Sequence, residues 1–168
     1  MTNSFRVGHG YDVHRFDLAA PATTQQLGGI SIAVEHPLLA HSDGDVLLHA
    51  IIDAVLGAMA WGDIGEWFPD TDPQWHQIDS RKLVQHLWLK VTQAGYVLGN
   101  LDVTVVAERP KLSGHKAAMR AQIASLLEAQ AEQVNVKATT TETLGFTGRG
   151  EGIACYAVVL LQPQKSVG

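Results

Sequence analysis

From Val46 to Met59 nearly every residue is apolar, a run of about four helical turns. A helix that is greasy on most sides cannot lie on a surface and must be packed between other layers of the fold. Its exceptions are Asp45, His49 and Asp53, spaced by four and therefore stacked on one face. A polar stripe in a buried helix is costly unless its members are paired or ligate something. Two readings fit. His49 is a buried histidine satisfied between two carboxylates, or it binds a metal with Asp45 or Asp53 as a hydrogen-bond partner behind it. Ser42 or Asp43 reads as the N-cap, with acidic residues suiting the first turn.

The segment from Phe5 to His14 reads as a strand. The period of two then puts Asp12 and His14 on one face and Tyr11 and Val13 on the other. Gly10 shares the face of Asp12 and His14 without a side chain, which is expected to leave open space beside them. A bare Asp-x-His is also what a solvated surface strand carries. With His49 as a third ligand it becomes the donor set of a catalytic dication.

Residues 17 to 30 carry Pro21 and Gly28-Gly29, the marks of a loop or hairpin tip, and Ile30 to Val34 reads as a short strand. An acidic, turn-rich loop over 61 to 73 holds two tryptophans, which either anchor it or form a binding surface. A helix follows, capped by Asp79-Ser80 and stopped by Gly95, with Leu83, Leu87 and Val91 on one side. The spacing then predicts a strand from Leu101 to Val106 and a helix from about Gly114 to Ala129, with Met119, Ile123, Leu126 and Leu127 inward. Strands at Asn135–Thr140 and Gly152–Leu161 close the chain. Between those strands, the threonines and glycines of Thr139 to Gly152 offer hydrogen bonds to an anion, and Glu142 could hold a hard dication. The same stretch would serve as an ordinary hairpin loop. It is not a phosphate loop of the Gly-Lys-Ser/Thr type.

At 168 residues the chain is expected to form one domain, residues 1–168. A net charge of -5 argues against a general nucleic-acid or anionic-membrane binder. No run approaches a transmembrane span, and Met1 to Arg6 has no signal-like apolar core. Cys155 is the one cysteine, which excludes an internal disulfide and fits a reducing cytosol. Its apolar neighbours mark it as packing, not as a nucleophile.

Gly8–His14, His41–Asp45 with His49, Gly62–Gly65, Phe68–Asp72, Asn135–Glu142 and Gly145–Gly152 resemble, in order and spacing, the motifs of the 2-C-methyl-D-erythritol 2,4-cyclodiphosphate synthases. The resemblance runs from about Phe5 to Leu161, with a somewhat longer loop around residues 19 to 26. It implies an α+β fold, a mixed β-sheet backed by three main helices. It also implies a cytoplasmic homotrimer with active sites at the subunit interfaces. The implied reaction converts 4-diphosphocytidyl-2-C-methyl-D-erythritol 2-phosphate to the cyclic diphosphate and releases CMP, in non-mevalonate isoprenoid synthesis.

Residue by residue, the resemblance implies zinc on Asp12, His14 and His49, and magnesium or manganese on Glu142. His41, Thr140 and Glu142 fall on catalytic positions, and Ser42 lies beside the substrate phosphates. Asp63 and Gly65 match the ribose contacts, and Asp70 a further substrate position. Ala107, Lys111 and Leu112, with Thr139 and Thr140, match the cytidine and phosphate pocket. Phe146 and Arg149 match substrate positions near a cavity on the trimer axis, where Tyr156 replaces a frequent glutamate. Rival functions for the same residues are a metal-dependent phosphohydrolase using an activated water and a non-catalytic trimeric ligand-binding protein of similar fold.

Overall fold

The computed structural model describes residues 4–164; what the sequence suggests about Met1 to Asn3 lies outside the described residues. Helix α1 (Val46–Met59) is buried along almost its whole length. It lies on a four-stranded sheet whose order is β1 (Arg6–Arg15), β6 (Gly152–Pro163), β4 (Tyr96–Val106) and β5 (Val134–Thr139). Strand β6 is antiparallel to both of its neighbours, whereas β5 runs parallel to β4, so the sheet is mixed. Helices α3 (Ser80–Gln93) and α4 (Lys116–Leu126) complete the helical layer. The fold is α+β, a mixed sheet backed by three main helices.

What lets α1 approach the sheet is the absence of side chains on β1. A Cβ on Gly8 would stand 1.8 Å from the Ala54 carbonyl oxygen, and one on Gly10 would stand 1.9 Å from that of Ala50. The expected open space beside Asp12 and His14 is therefore filled by helix backbone. This close approach puts His49, on α1, within reach of Asp12 and His14, on β1. Gly10→Ala is expected to cost about 3 kcal/mol or more, the upper end for overpacking, because backbone has no rotamer with which to yield. Urea unfolding of the metal-free protein measures it, and a loss below about 0.5 kcal/mol would mean that the helix simply slides away.

Several expected boundaries shift. Residues 17 to 30 are not all loop, since β2 (Thr23–Leu27) pairs antiparallel with β3 (Ile30–Val34), and Gly28-Gly29 is the tip. The polar run hid that strand because Gln25 is buried for hydrogen bonding: its amide donates to the Asp43 carbonyl (2.8 Å) and accepts from the Leu38 N–H (2.8 Å). Strand β4 starts five residues before Leu101, and a bulge between Leu98 and Asn100 interrupts its alternation. The loop after α1 contains a turn of helix, α2 (Ile64–Trp67), and a 3-10 turn over Pro73–Trp75; a further helical turn, α5 (Gly145–Gly148), precedes β6.

The N-cap of α1 is Asp45, not Ser42 or Asp43. Its fully buried carboxylate accepts from Leu48 N–H (3.0 Å) and from Gly28 and Gly29 N–H (2.8 and 2.7 Å), which fastens the hairpin tip to the helix start. Cys155 is buried on β6, and burial pushes its thiol pKa well up, as expected of a packing residue. On the other face of the sheet, Val7, Tyr11, Val13, Tyr156 and Val158 are all exposed. No helix among the described residues is long and apolar enough to cross a membrane.

Candidate metal centre and active site

Asp12 and His14 leave the end of β1 on its helix-facing side, and His49 meets them from the first half of α1. Asp12 Oδ2 lies 3.0 Å from His14 Nε2 and 3.2 Å from His49 Nδ1, and the two ring nitrogens are 3.3 Å apart. Those spacings fit a bound ion. Three donors at about 2.0–2.1 Å from a tetrahedral zinc stand about 3.3 Å from one another. Without a metal the three must share protons. Burial would raise the Asp12 carboxyl, but hydrogen bonds from His14 and His49 outweigh it and bring the pKa down to about 2. For His14, burial lowers the imidazole pKa, and the hydrogen bond and charge of Asp12 more than reverse it.

The histidines' far nitrogens are also pinned. His14 Nδ1 is 3.0 Å from the Leu39 carbonyl oxygen, which can only accept, so Nδ1 keeps its proton and Nε2 is the nitrogen available to a metal. His49 Nε2 is 2.9 Å from Ser80 Oγ. Neither the Asp45 nor the Asp53 carboxylate bonds the His49 imidazole, contrary to the expectation from their spacing. Asp45 caps α1, and Asp53 accepts from Ile64 N–H (2.8 Å), tying α2 to α1. The helical stripe is three polar groups with three separate duties.

A cavity of about 220 Å³ opens beside the trio and is lined also by His41, Ser42, Gly65 and Asp70. Its apolar wall is Ile64, Phe68, Trp75, Ile78 and Leu83. Three clustered donors on one side and apolar side chains on the other make a site that can hold a dication beside a small, partly polar ligand. Trp61 and Trp67 stack on each other 5.5 Å apart, and Trp67 Nε1 donates to the Trp61 carbonyl; they anchor their loop and do not line the cavity.

The chain matches the YgbB family over residues 5–162. It belongs to that family. The 2-C-methyl-D-erythritol 2,4-cyclodiphosphate synthase of Halalkalibacterium halodurans is 59% identical to it over 156 residues, 93% of this chain and 98% of that protein. The enzyme of the same name from Stutzerimonas stutzeri is 60% identical over 156 residues, again 93% of this chain and 98% of its own length. Among solved structures, IspF of Plasmodium falciparum in complex with CDP superposes with a TM-score of 0.85 at 34% identity, covering 98% of this chain and all (100%) of that one. The bifunctional IspDF of Campylobacter jejuni gives a TM-score of 0.89 at 43% identity, over 96% of this chain and 43% of that one.

In this YgbB-family chain the other expected site residues do not line the cavity of the trio. Asp63 caps α2, accepting from Glu66 N–H (3.0 Å), beside the lining residues Ile64 and Gly65. Lys111 lines a different cavity of about 400 Å³, with Glu108, Arg109, Pro110 and Gly150. Ala107 and Leu112 are buried at the two flanks of that turn. Thr139 ends β5, and Thr140 Oγ1 donates to Glu142 Oε1 (3.1 Å) in the loop beyond it. Glu142 itself is exposed, at a positive φ of 54°. Phe146 is exposed on α5, and Arg149 pairs with Glu151 (3.0 Å) on the surface.

Two partners of the trio, Ser80 and the Leu39 carbonyl, carry no site signal in the sequence: Ser80 reads as a helix cap, and a backbone acceptor leaves no trace in residue identity.

Proposed function

We propose that this chain converts 4-diphosphocytidyl-2-C-methyl-D-erythritol 2-phosphate to 2-C-methyl-D-erythritol 2,4-cyclodiphosphate and CMP, as a phosphorus–oxygen lyase of isoprenoid precursor synthesis in the cytoplasm. The observation that carries the reading is the Asp12–His14–His49 triangle at the mouth of a polyol-sized cavity, in a chain nearly 60% identical to enzymes of that name over almost its whole length. Family membership and the CDP complexes of relatives favour it over a phosphohydrolase or a passive binder.

In the reaction an oxygen of the 2-phosphate bonds to the distal phosphorus of the diphosphate. The bond from that phosphorus to the bridging oxygen breaks, and CMP leaves with the electron pair. The substrate carries its own nucleophile, so the barrier is largely anion against anion. Two unit charges at about 4 Å repel by ~4 kcal/mol at an effective dielectric of 20, and several such pairs converge. A protein of net charge -5 cannot offset that with bulk charge. Zinc on Asp12, His14 and His49 and magnesium or manganese on Glu142 would supply positive charge at the phosphate oxygens.

The chain's own residues hold and orient the substrate. His41 and Ser42 lie at the entry to α1, with Asp70 on the same cavity wall, and suit the phosphates. Gly65 beside Asp63 suits the ribose. Ala107, Lys111, Leu112, Thr139 and Thr140 suit the cytidine and its phosphate, and Phe146 and Arg149 are assigned to the rim of the trimer axis.

The distance of Lys111, Thr139, Thr140 and Glu142 from the lining of the trio's cavity, and an exposed apolar sheet face, support a homotrimer in which neighbours complete each other's site. The function is tested by a metal-dependent CMP-release assay with the second product identified by phosphorus NMR; an uncyclised phosphate product would sink it. Glu142→Gln keeps the shape and removes a charge. It is expected to lower activity about tenfold or more and to raise the magnesium or manganese needed for half-maximal rate. Superimposable metal titrations would remove Glu142 from that role.

A further inference from the structure

Imidazole can ligate a metal only through a nitrogen that carries no proton, so a neutral histidine must be held in one of its two tautomers. For His14 a carbonyl makes that choice. For His49 the neighbour is a hydroxyl, Ser80 Oγ, which could donate or accept, and the choice passes one step further out. Ser80 Oγ is 2.6 Å from Asp43 Oδ1, and the Ser80 N–H donates to Asp43 Oδ2 at 2.9 Å. A carboxylate only accepts, so the single proton of the Ser80 hydroxyl points at Asp43. Ser80 then has only lone pairs to offer at 2.9 Å to His49 Nε2, which must carry a proton and so leaves Nδ1 as the nitrogen available to a metal beside Asp12 and His14. Ser80 is fully buried, so no water competes for that geometry. The other hydroxyl nearby, Ser42 Oγ, is at 3.3 Å and could serve either tautomer.

We propose that Asp43 and Ser80 form a positioning relay that fixes His49 as a metal ligand through Nδ1. The relay spans three segments, with Asp43 before α1, Ser80 at the first residue of α3 and His49 within α1. It rests on the reading of Asp12, His14 and His49 as a metal site, and it adds two residues that touch neither metal nor substrate.

The test uses the full-length protein and two readouts. Zinc affinity is measured by competition with a chelator of known strength. The His49 tautomer is read in the metal-free protein by long-range proton–nitrogen NMR, assigned by the resonances lost in His49→Ala. The unaltered protein should show His49 protonated at Nε2. Ser80→Ala should weaken zinc binding about ten- to a hundredfold, the usual cost of losing an outer partner of a ligating histidine. In Asp43→Asn the new amide can donate to Ser80 Oγ, which turns the hydroxyl proton toward His49 and shifts the tautomer to Nδ1–H. That variant should lose zinc affinity at least as far, and the Asp43→Asn/Ser80→Ala double variant no further than Ser80→Ala alone. Ser80→Thr keeps the hydroxyl and should hold affinity within about threefold of the unaltered protein.

An Nδ1–H tautomer in the unaltered protein, or unchanged zinc affinity in Ser80→Ala and Asp43→Asn, would overturn the relay. Weakened binding with the tautomer unmoved in Asp43→Asn would also overturn it, since a purely structural role predicts that pattern. If the unaltered protein takes up no zinc yet shows the Nε2–H tautomer that Asp43→Asn reverses, the metal reading falls and the relay stands.

Discussion

His49→Ala should purify without zinc and without cyclase activity while its fold stays intact. Zinc sites of four protein ligands bind with roughly 10–16 kcal/mol, so one ligand is worth about 2.5–4 kcal/mol, or about two to three powers of ten in affinity. Only Asp12 and His14 would remain, 3.0 Å apart, and that pair can satisfy itself by sharing a proton. The helix itself does not depend on His49. Its seat against β1 is set by Gly8 and Gly10 and by the apolar residues of α1. The circular dichroism spectrum and urea midpoint of the metal-free variant should therefore stay close to those of the unaltered protein. Metal analysis decides the matter: one equivalent of zinc retained per chain would remove His49 from the ligand set.

How far the sequence foretold this site depends on what kind of information each contact carries. Strand alternation placed Asp12 and His14 on one face, and helical spacing kept His49 on a buried helix; both are local periodicities that residue identity records directly. The union of the two segments is legible only as chemistry, because an Asp-x-His pair is half of a metal site and a buried histidine can supply the missing donor. The reason they can meet is a backbone approach at Gly8 and Gly10, which reads from sequence as empty space and turns out to be occupied. Asp45 and Asp53 show the opposite failure. Their spacing of four from His49 is real, yet a carboxylate's partner is chosen in three dimensions, and both turn to backbone N–H groups of other segments. Strand β2 is hidden by its glutamines because a polar run near glycines reads as loop, whereas Gln25 is buried to bond the loop carrying Asp43. None of the residues from Ala107 to Leu112 and from Thr139 to Arg149 reaches the trio's cavity in one chain, and no rule of periodicity could have said whose cavity they serve.

That division makes a complementation experiment decisive. In the proposed cyclic trimer the three interfaces are heterologous and equivalent, so each subunit offers its Asp12–His14–His49 half to one neighbour and its Glu142 half to the other. A His49→Ala chain is mixed with a Glu142→Gln chain at a magnesium concentration where the second is silent alone. Every mixed trimer then contains one site made of two intact halves, whichever mutant is in excess. With equal amounts and random assembly about three trimers in four are mixed, so restored sites should approach roughly a quarter of all sites. Each exposed apolar side chain on the outer sheet face (Val7, Tyr11, Val13, Tyr156 and Val158) would be covered on association, so subunit exchange between folded trimers should be slow. Activity should therefore stay near zero on simple mixing and appear after joint unfolding and refolding, or on co-expression. Native mass spectrometry verifies the mixed composition. Mixed trimers with no recovered activity would mean that the two halves are joined within one chain.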